Sequence, residues 1–382
     1  MKNKNIKVIT ILSYGRSGTG LMCSLLDGHS KISIFPDHII QNFYNFWDFY
    51  HLKSKSYIFK KFTEIFEIVF DPKENKNYFH KSVGEIGSAY SCGFTQLGDK
   101  KNYSLKVNKN KFIKFLNSYF VKNKFNRKNF FIAIHFAYNS CLYKKKKTEY
   151  IVFNFHVPSR KSFKKFLEDF PDASFIQMVR EPLIGMYSMF RAFNDKYFFN
   201  GNYLYSILNH MKSRGNYQFI NRKRLIYIKL EDLHKSPKQI IAKLCRKFSL
   251  KYENILFLST INKLKWHNET GSSPRISGFS KKFINQKFNK FYWKKDDLVF
   301  FYFLKDKYKL LGYRNTKYSL VMSKLLFYIC ILFPFKIEIM QLKKKFNIQN
   351  YKYLIKNFFR NRYLILKFLN KKKIFKIYND EL

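Results

Sequence analysis

Acidic residues are scarce in this chain. Twenty-five Asp and Glu stand against 73 Lys and Arg in 382 residues, a formal net charge of +48 at pH 7. A balance so one-sided needs anionic partners or a well-solvated surface. Cysteine is scarce as well. The five, at positions 23, 92, 141, 245 and 330, are odd in number, scattered, and without Cys-x-x-Cys or Cys/His metal spacing. Neither a zinc site nor a disulfide framework is indicated, and a reducing, cytoplasmic setting is expected. Glycine, proline and alanine are few while Lys, Asn, Ile, Phe and Tyr dominate, a bias that an AT-rich coding sequence imposes by itself. Long apolar runs are missing. Leu325–Phe335 (LLFYICILFPF), edged by Lys324 and Lys336, is too short to span a bilayer. Ile6–Leu12 is too short for a secretory core and contains Lys7, so no signal peptide is expected. No internal repeat is found.

What the chain does have is length enough for one sizeable core and a small second unit. It also has an unusual load of aromatics, 20% of residues with 45 Phe. Basic and aromatic residues together give the electrostatic footprint of a nucleic-acid binder, although no reader motif accompanies it.

The most specific local signal lies at Ile6–Lys31. A short β-branched run, Val8–Leu12, leads into Gly15-Arg16-Ser17-Gly18-Thr19-Gly20, and an apolar segment, Leu21–Leu26, follows. The order reads as strand, tight glycine loop, helix. Such a loop leaves backbone N–H groups at a helix N-terminus, which with the helix dipole make an anion site. An ordinary βα turn is the plain alternative. Gly15 and Gly20 have the spacing of a Walker A loop, but Leu21 and Met22 occupy the positions that need Lys and Ser/Thr. A P-loop nucleotide kinase is therefore disfavoured, and a nucleotide donor handled without a bound metal is favoured. The cation sits early instead, as Arg16, beside the hydroxyls of Ser17 and Thr19.

A second segment, Phe170–Pro182, reads as a buried strand ending in Arg180-Glu181-Pro182. A helix follows that carries Ser188 eight residues after Arg180. The two segments together resemble the sulfotransferase superfamily, whose donor is 3′-phosphoadenosine 5′-phosphosulfate (PAPS). The resemblance makes the first segment the 5′-phosphosulfate loop, with Gly15, Arg16, Ser17, Gly18, Thr19 and Gly20 binding the donor. It makes Arg180 and Ser188 the grip on the 3′-phosphate. A guanidinium fork, a helix-borne hydroxyl and a helix dipole suit that task. Leu225–Leu233 with Ser236-Pro237 resembles the family's late strand and Y-E-D-L helix, and Leu311-Gly312-Tyr313 the end of its last helix. Trp266–Phe279 resembles the loop that closes over the donor, with Arg275 and Gly278 as candidates. No metal is implied.

The pattern is similar in style to bacterial and to tyrosylprotein or Golgi-type carbohydrate sulfotransferases. Those carry Arg in the loop, as Arg16 here, and an acidic residue soon after the loop helix, here Asp37. They also carry Lys-x-Pro on the strand before the 3′-phosphate block. This chain has His156-Val157-Pro158, a departure from that pattern. The resemblance implies catalytic roles for Arg16, Asp37 and His156 in moving a sulfonate to a hydroxyl of a carbohydrate or related acceptor. Arg16, Ser17 and the loop N–H groups would stabilise charge on the leaving phosphate. Asp37, the adjacent His38, or His156 could take the acceptor's proton. Asp37 as base with His156 as donor or orienter is the favoured division. Asp37 after Pro36 also fits a turn or the N-cap of the next helical segment. His135, in an apolar stretch, reads as packing. The N-terminal anchor helix of Golgi enzymes has no counterpart in the sequence given.

The expected fold is α/β. One three-layer domain with a central parallel sheet occupies residues 1–317, and a basic helical extension occupies 318–382. Residues 36–130 read as largely helical and aromatic, the region that contributes acceptor binding in the family. From Lys336 to Leu382 the extension holds thirteen Lys/Arg and three acids among Phe, Tyr, Ile and Leu. Two readings of it stand open: an amphipathic module on an anionic membrane surface, peripheral on the inner face, or helices packed on the catalytic domain with solvated lysines.

Overall fold

The structure is a computed structural model. It describes residues 6–74, 79–80, 84–85, 93–142, 148–156, 158–197, 203–213, 217, 220–267, 278–280, 294–313, 320–344 and 348–370.

β1 (Lys7–Ser13), α1 (Thr19–Leu26) and β2 (Ile32–Ile34) open the chain. Helices α2 (Phe43–Tyr50) and α3 (Lys55–Ile65), a short pair β3 (Phe79–His80) and β4 (Gly84–Glu85), and helices α4 (Lys109–Lys122) and α5 (Arg127–Leu142) follow. Next come β5 (Tyr150–Asn154), α6 (Arg160–Asp169), β6 (Ser174–Val179), α7 (Pro182–Tyr197), α8 (Tyr203–Ser213) and β7 (Leu225–Lys229). Helices α9 (Leu230–Lys235) and α10 (Pro237–Phe248), the small pair β8 (Thr260–Ile261) and β9 (Leu264–Lys265), and α11 (Lys294–Leu310) complete this part. α12 (Leu320–Cys330), α13 (Lys336–Lys344) and α14 (Ile348–Asn370) form the C-terminal extension.

The expected parallel sheet is present, in the order β2-β5-β1-β6-β7 with every neighbouring pair parallel. Strand residues alternate between two buried faces, as the period of two requires. Val8, Leu12, Ile151 and Phe153 join the cluster built with α2–α6. Ile9, Ile11, Val152 and Met178 join the one built with α1, α9 and α10. Both faces are thus covered, giving three layers. The β-branched run at the start of the chain is apolar throughout because its strand is central.

The strands of this sheet all point the same way, so the loops after β1, β2, β5 and β6 emerge at one edge. In open parallel sheets that edge is where ligands bind. Pro182 starts α7, and the Glu181 carboxylate caps it by accepting from Ile184 N at 2.6 Å.

The extension is docked on the domain. Phe335 stacks on Phe300 of α11 at 4.7 Å and Phe327 on Tyr302 at 4.9 Å. One cluster joins α7, α8 and α11 to Phe327, Ile331, Ile337 and Ile365. The packed reading therefore holds for the extension's inner face. The 317/318 boundary itself falls outside the described residues.

Candidate active site

After Tyr14 the chain turns through Gly15, Arg16 and Gly18, all in left-handed conformations (φ 48°, 33° and 83°), and enters α1. At Gly18 a side chain would meet Leu230 Cδ1 at 2.5 Å, so only glycine fits. Gly18 is also the helix cap, and no side chain caps it. The N–H groups of the first turn are left for an anion. Ser17 Oγ accepts from Tyr14 N at 3.2 Å and braces the loop. Leu21 and Met22 are buried in the sheet's core cluster. The helix register turns these two positions inward, which is why the Walker A lysine and hydroxyl have no place here.

Arg180 follows β6. It is buried, and its Nη1 donates to the carbonyl of Arg16 at 3.4 Å. The sequence reading missed a third guanidinium, Arg191, on α7. Burial and the nearby Arg180 and Arg191 bring Arg16 down to about 10, against the pull of Asp37. Burial lowers Arg180 too, with Glu231 opposing and Arg191 adding to the drop. At neutral pH all three stay protonated. Burial lowers Arg191 as well, and three desolvated guanidinia, two of them lowered further by neighbouring cations, make a site that an anion would relieve.

Ser188 is buried on α7. One turn earlier, Gly185 lies against the loop: a Cβ there would stand 3.6 Å from the Gly15 carbonyl. One turn later comes Arg191. Ser188 thus sits on the helix face turned toward the loop. The i, i+3 spacing of Ser188 and Arg191 was the available signal for the third cation.

Acidic neighbours hold the strand end. Glu231 accepts from Glu181 N at 3.0 Å and from the Tyr313 hydroxyl at 2.7 Å. His234, also missed from sequence, is lowered to about 4 by burial and by Arg180. Its Nδ1 accepts from Ser280 N at 3.1 Å, so the segment 278–280 is docked next to Arg180's surroundings. Gly278 is left-handed (φ 72°) with open space around it. Arg275 lies outside the described residues.

On the other side of the loop, Asp37 is left-handed (φ 49°) and buried. Its Oδ2 stands 3.0 Å from His38 Nδ1. Of the readings left open for it, N-capping fails: the following 3₁₀ turn, Ile39–Asn42, has His38 at its cap with no side-chain bond. Burial pushes the carboxyl up, but His38, His156 and Arg16 outweigh this and hold Asp37 below the ordinary carboxylate range. A Cβ at Gly20 would stand 3.1 Å from Asp37 Oδ1, so the start of α1 lies close against the carboxylate. A small cavity bounded by Gly20, Cys23, Asp37, Thr260 and Trp266 adjoins the carboxylate.

His156 follows β5. Its Nδ1 is 2.9 Å from Thr19 Oγ1, and its ring stacks on His38 at 4.8 Å. Burial, then His38, keeps His156 well below the usual histidine range despite Asp37. Nearby His210 of α8 adds to this lowering and had no sequence signal. His135 is enclosed between Phe35 and Phe131, each at 4.9 Å, and is packing as expected.

The fold and this edge define a class: a parallel α/β protein with a glycine-loop anion site, flanking arginines and a carboxylate–histidine group. A model of the sulfotransferase family matches residues 9–254. The chain belongs to the sulfotransferase family. No curated protein matches it. Among solved structures it is similar to the sulfotransferase domain of the Synechococcus PCC 7002 olefin synthase (13% identity, 87% of this chain and 98% of that one, TM-score 0.36). It is also similar to the sulfotransferase domain from the curacin biosynthetic pathway (16%, 86% and 98%, TM-score 0.36). A third is sulfotransferase STF9 of Mycobacterium avium (11%, 66% of each chain, TM-score 0.35).

Proposed function

We propose that the protein transfers a sulfonate group from PAPS to a hydroxyl of a carbohydrate or related acceptor. The observation that carries the donor is the meeting of Arg180 with the Arg16 carbonyl at 3.4 Å beside the uncapped N-terminus of α1, with Arg191 on the helix that bears Ser188. Two phosphate-bearing ends on one nucleotide suit cations spread over a loop, a strand end and a helix. The carbohydrate acceptor rests on the resemblance to Golgi-type enzymes and on the surplus of positive charge, which suits an anionic acceptor.

PAPS supplies the sulfonate and a bisphosphate leaving group. Arg16, Ser17 and the Gly18–Gly20 N–H groups hold the phosphosulfate end and stabilise charge there. Arg180, Ser188 and Arg191 hold the 3′-phosphate. His38 takes the acceptor's proton as the acceptor oxygen bonds to sulfur, and Asp37 orients the ring through the 3.0 Å contact and stabilises its charge. This revises the division expected from sequence. Asp37, held low, is a weak base by itself, and the imidazole it contacts shares the proton with it. His156, neutral, fixes Thr19 rather than supplying charge.

The test is calorimetric titration of adenosine 3′,5′-bisphosphate, without metal, into wild type and Arg180→Ala. Micromolar binding that the substitution abolishes is the expected result. No binding to wild type would overturn the donor assignment. Sulfonate transfer from labelled PAPS to a panel of glycans, phenols and lipid hydroxyls then tests the acceptor.

A further inference from the structure

The C-terminal extension has two faces. The inner one is settled by Arg362. Its guanidinium lies 4.0 Å from the Phe335 ring and 3.9 Å from the Phe358 ring, pairs with Glu338 at 2.5 Å, and donates to the carbonyls of Ile331 and Phe333 at 2.8 and 2.7 Å. This pins α14 to the end of α12.

The outer face has a different composition. α12 and the turn after it expose Leu325, Tyr328, Ile329, Leu332 and Phe333, at helical spacing and each at least half exposed. α14 exposes Ile355, Phe359, Tyr363 and Leu366, a second row at helical spacing. Lys352, Lys356 and Lys367 are exposed among them. The chain beside one row is tied to the other: Arg362, between Phe359 and Tyr363 in the chain, bonds the carbonyls of Ile331 and Phe333. Apolar side chains exposed singly are ordinary, but two rows at helical spacing on helices tied together are not. Folding does not explain them, because the inner faces of the same helices already fill the core cluster.

We propose that this outer face of α12 and α14 seats the protein on the surface of an anionic lipid bilayer. The apolar side chains enter the boundary of headgroups and acyl chains, and the lysines pair with lipid phosphates. Charge complementarity selects this occupant. A second copy would bring the same lysines and another +48 to the contact. Nucleic acid would match the lysines but not aliphatic Leu325, Ile329, Leu332, Ile355 and Leu366, which offer no ring for a base to stack on. The helices lie on the surface rather than cross it: no described helix is long and apolar enough to span a membrane. The proposal stands on residues apart from the donor site.

Sedimentation of the full-length protein with phosphatidylcholine vesicles, with and without phosphatidylglycerol, tests it. Binding to the anionic vesicles should be about 100-fold tighter, the scale expected of three lysines near a charged surface. Leu332→Ser with Phe359→Ser should weaken binding about tenfold or more, with thermal stability and adenosine 3′,5′-bisphosphate affinity unchanged. Lys352→Gln, Lys356→Gln and Lys367→Gln together should remove most of the preference for anionic lipid. Equal binding to both vesicle types, or no binding to either, would overturn the proposal. So would a dimer in solution that Leu332→Ser with Phe359→Ser abolishes, which would show the face to be an interface between copies.

Discussion

The hydroxyl of Thr19 and Nδ1 of His156 are 2.9 Å apart, across 137 residues of chain. The contact ties the first turn of α1, where the donor's phosphate would sit, to the end of β5. It also fixes a ring that lies on His38. Lysine at this position in the resembled enzymes would be a fixed charge. Burial leaves His156 uncharged at neutral pH. The site's positive charge then comes from Arg16, Arg180 and Arg191, and the histidine contributes geometry.

From this follows a division between binding and proton transfer. His38→Gln and Asp37→Asn should each lower kcat by about 10²–10⁴-fold, the range for loss of a general base. Affinity for adenosine 3′,5′-bisphosphate should stay close to wild type. His156→Gln, which can still meet Thr19, should retain more activity than His156→Ala. Steady-state kinetics with calorimetry on the four variants checks this. Equal loss of kcat and donor affinity in His38→Gln would reject His38 as base.

Arg191 gives a sharper test of the donor site because nothing in the resemblance pointed to it. Removing a charge-assisted contact costs about 1.5–3 kcal/mol, so Arg191→Ala should weaken adenosine 3′,5′-bisphosphate binding by about 10–100-fold. Ser188→Ala removes a neutral donor and should cost less. Adenosine 5′-phosphate, lacking the 3′-phosphate, should bind wild type and both variants alike. If Arg191→Ala weakened both nucleotides equally, Arg191 would act on the phosphosulfate end.

Stability should fall on mild acidification. Histidines in unfolded chain titrate near 6.5. Folded, His135 is lowered to about 3 by burial, His234 to about 4 by burial and Arg180, and His156 lies well below its usual range. The unfolded chain therefore binds more protons below pH 6.5, so the stability these groups allow is complete above that pH and is lost as pH falls. Each contributes a slope of about 1.4 kcal/mol per pH unit, about 4 together. Asp37, Asp48 and Glu253, all held low, act only at more acid pH. Denaturant melts between pH 8 and 5 should show the slope, and His135→Leu should remove about a third of it. Both ring nitrogens of His135 are buried without hydrogen-bond partners, so the same substitution should stabilise the protein by about 1 kcal/mol at pH 8. An unchanged slope would mean that His135 protonates in the folded state at no cost.

The sheet and the glycine loop were legible because their signals are local. A central parallel strand reads as an unbroken β-branched run, and a loop that must turn left-handed shows its glycines, as Gly18 does. Arg180 was legible from its strand end. Arg191 had only its i, i+3 spacing from Ser188 to mark it, and His234 and His210 had nothing, because their closeness to Arg180 or His156 arises from how α8 and α9 pack. Asp37 read equally as a cap or a catalytic group. The fold removes the cap, because His38 holds that position and the Asp37 carboxylate turns to His38 instead. Of the extension's two readings, packing on the domain holds for the inner face, and the membrane surface stays a proposal: composition alone could not divide its residues between an inner and an outer face.

That division makes Arg362 the residue on which the extension's docking depends. Its charge is buried, paired with Glu338, stacked between two phenyl rings, and bonded to two carbonyls at the end of α12. The Glu338 carboxylate also accepts from Asn361 at 3.1 Å and from Phe335 N at 2.9 Å. Breaking a buried pair on one side strands the other charge and costs about 3–5 kcal/mol. Arg362→Met keeps much of the stacking volume but leaves Glu338 and the two carbonyls unmet. It should release α14 to limited proteolysis while the sheet domain stays folded. Replacing both partners, Arg362→Met with Glu338→Gln, should recover part of the loss, because the stranded carboxylate is gone. Thermal melts with proteolysis of the two variants distinguish the cases. If Arg362→Met melted the whole chain in one step, the extension and the sheet domain would be a single cooperative unit. The cluster that joins Phe327 and Phe335 to α11 would then outweigh the ion pair.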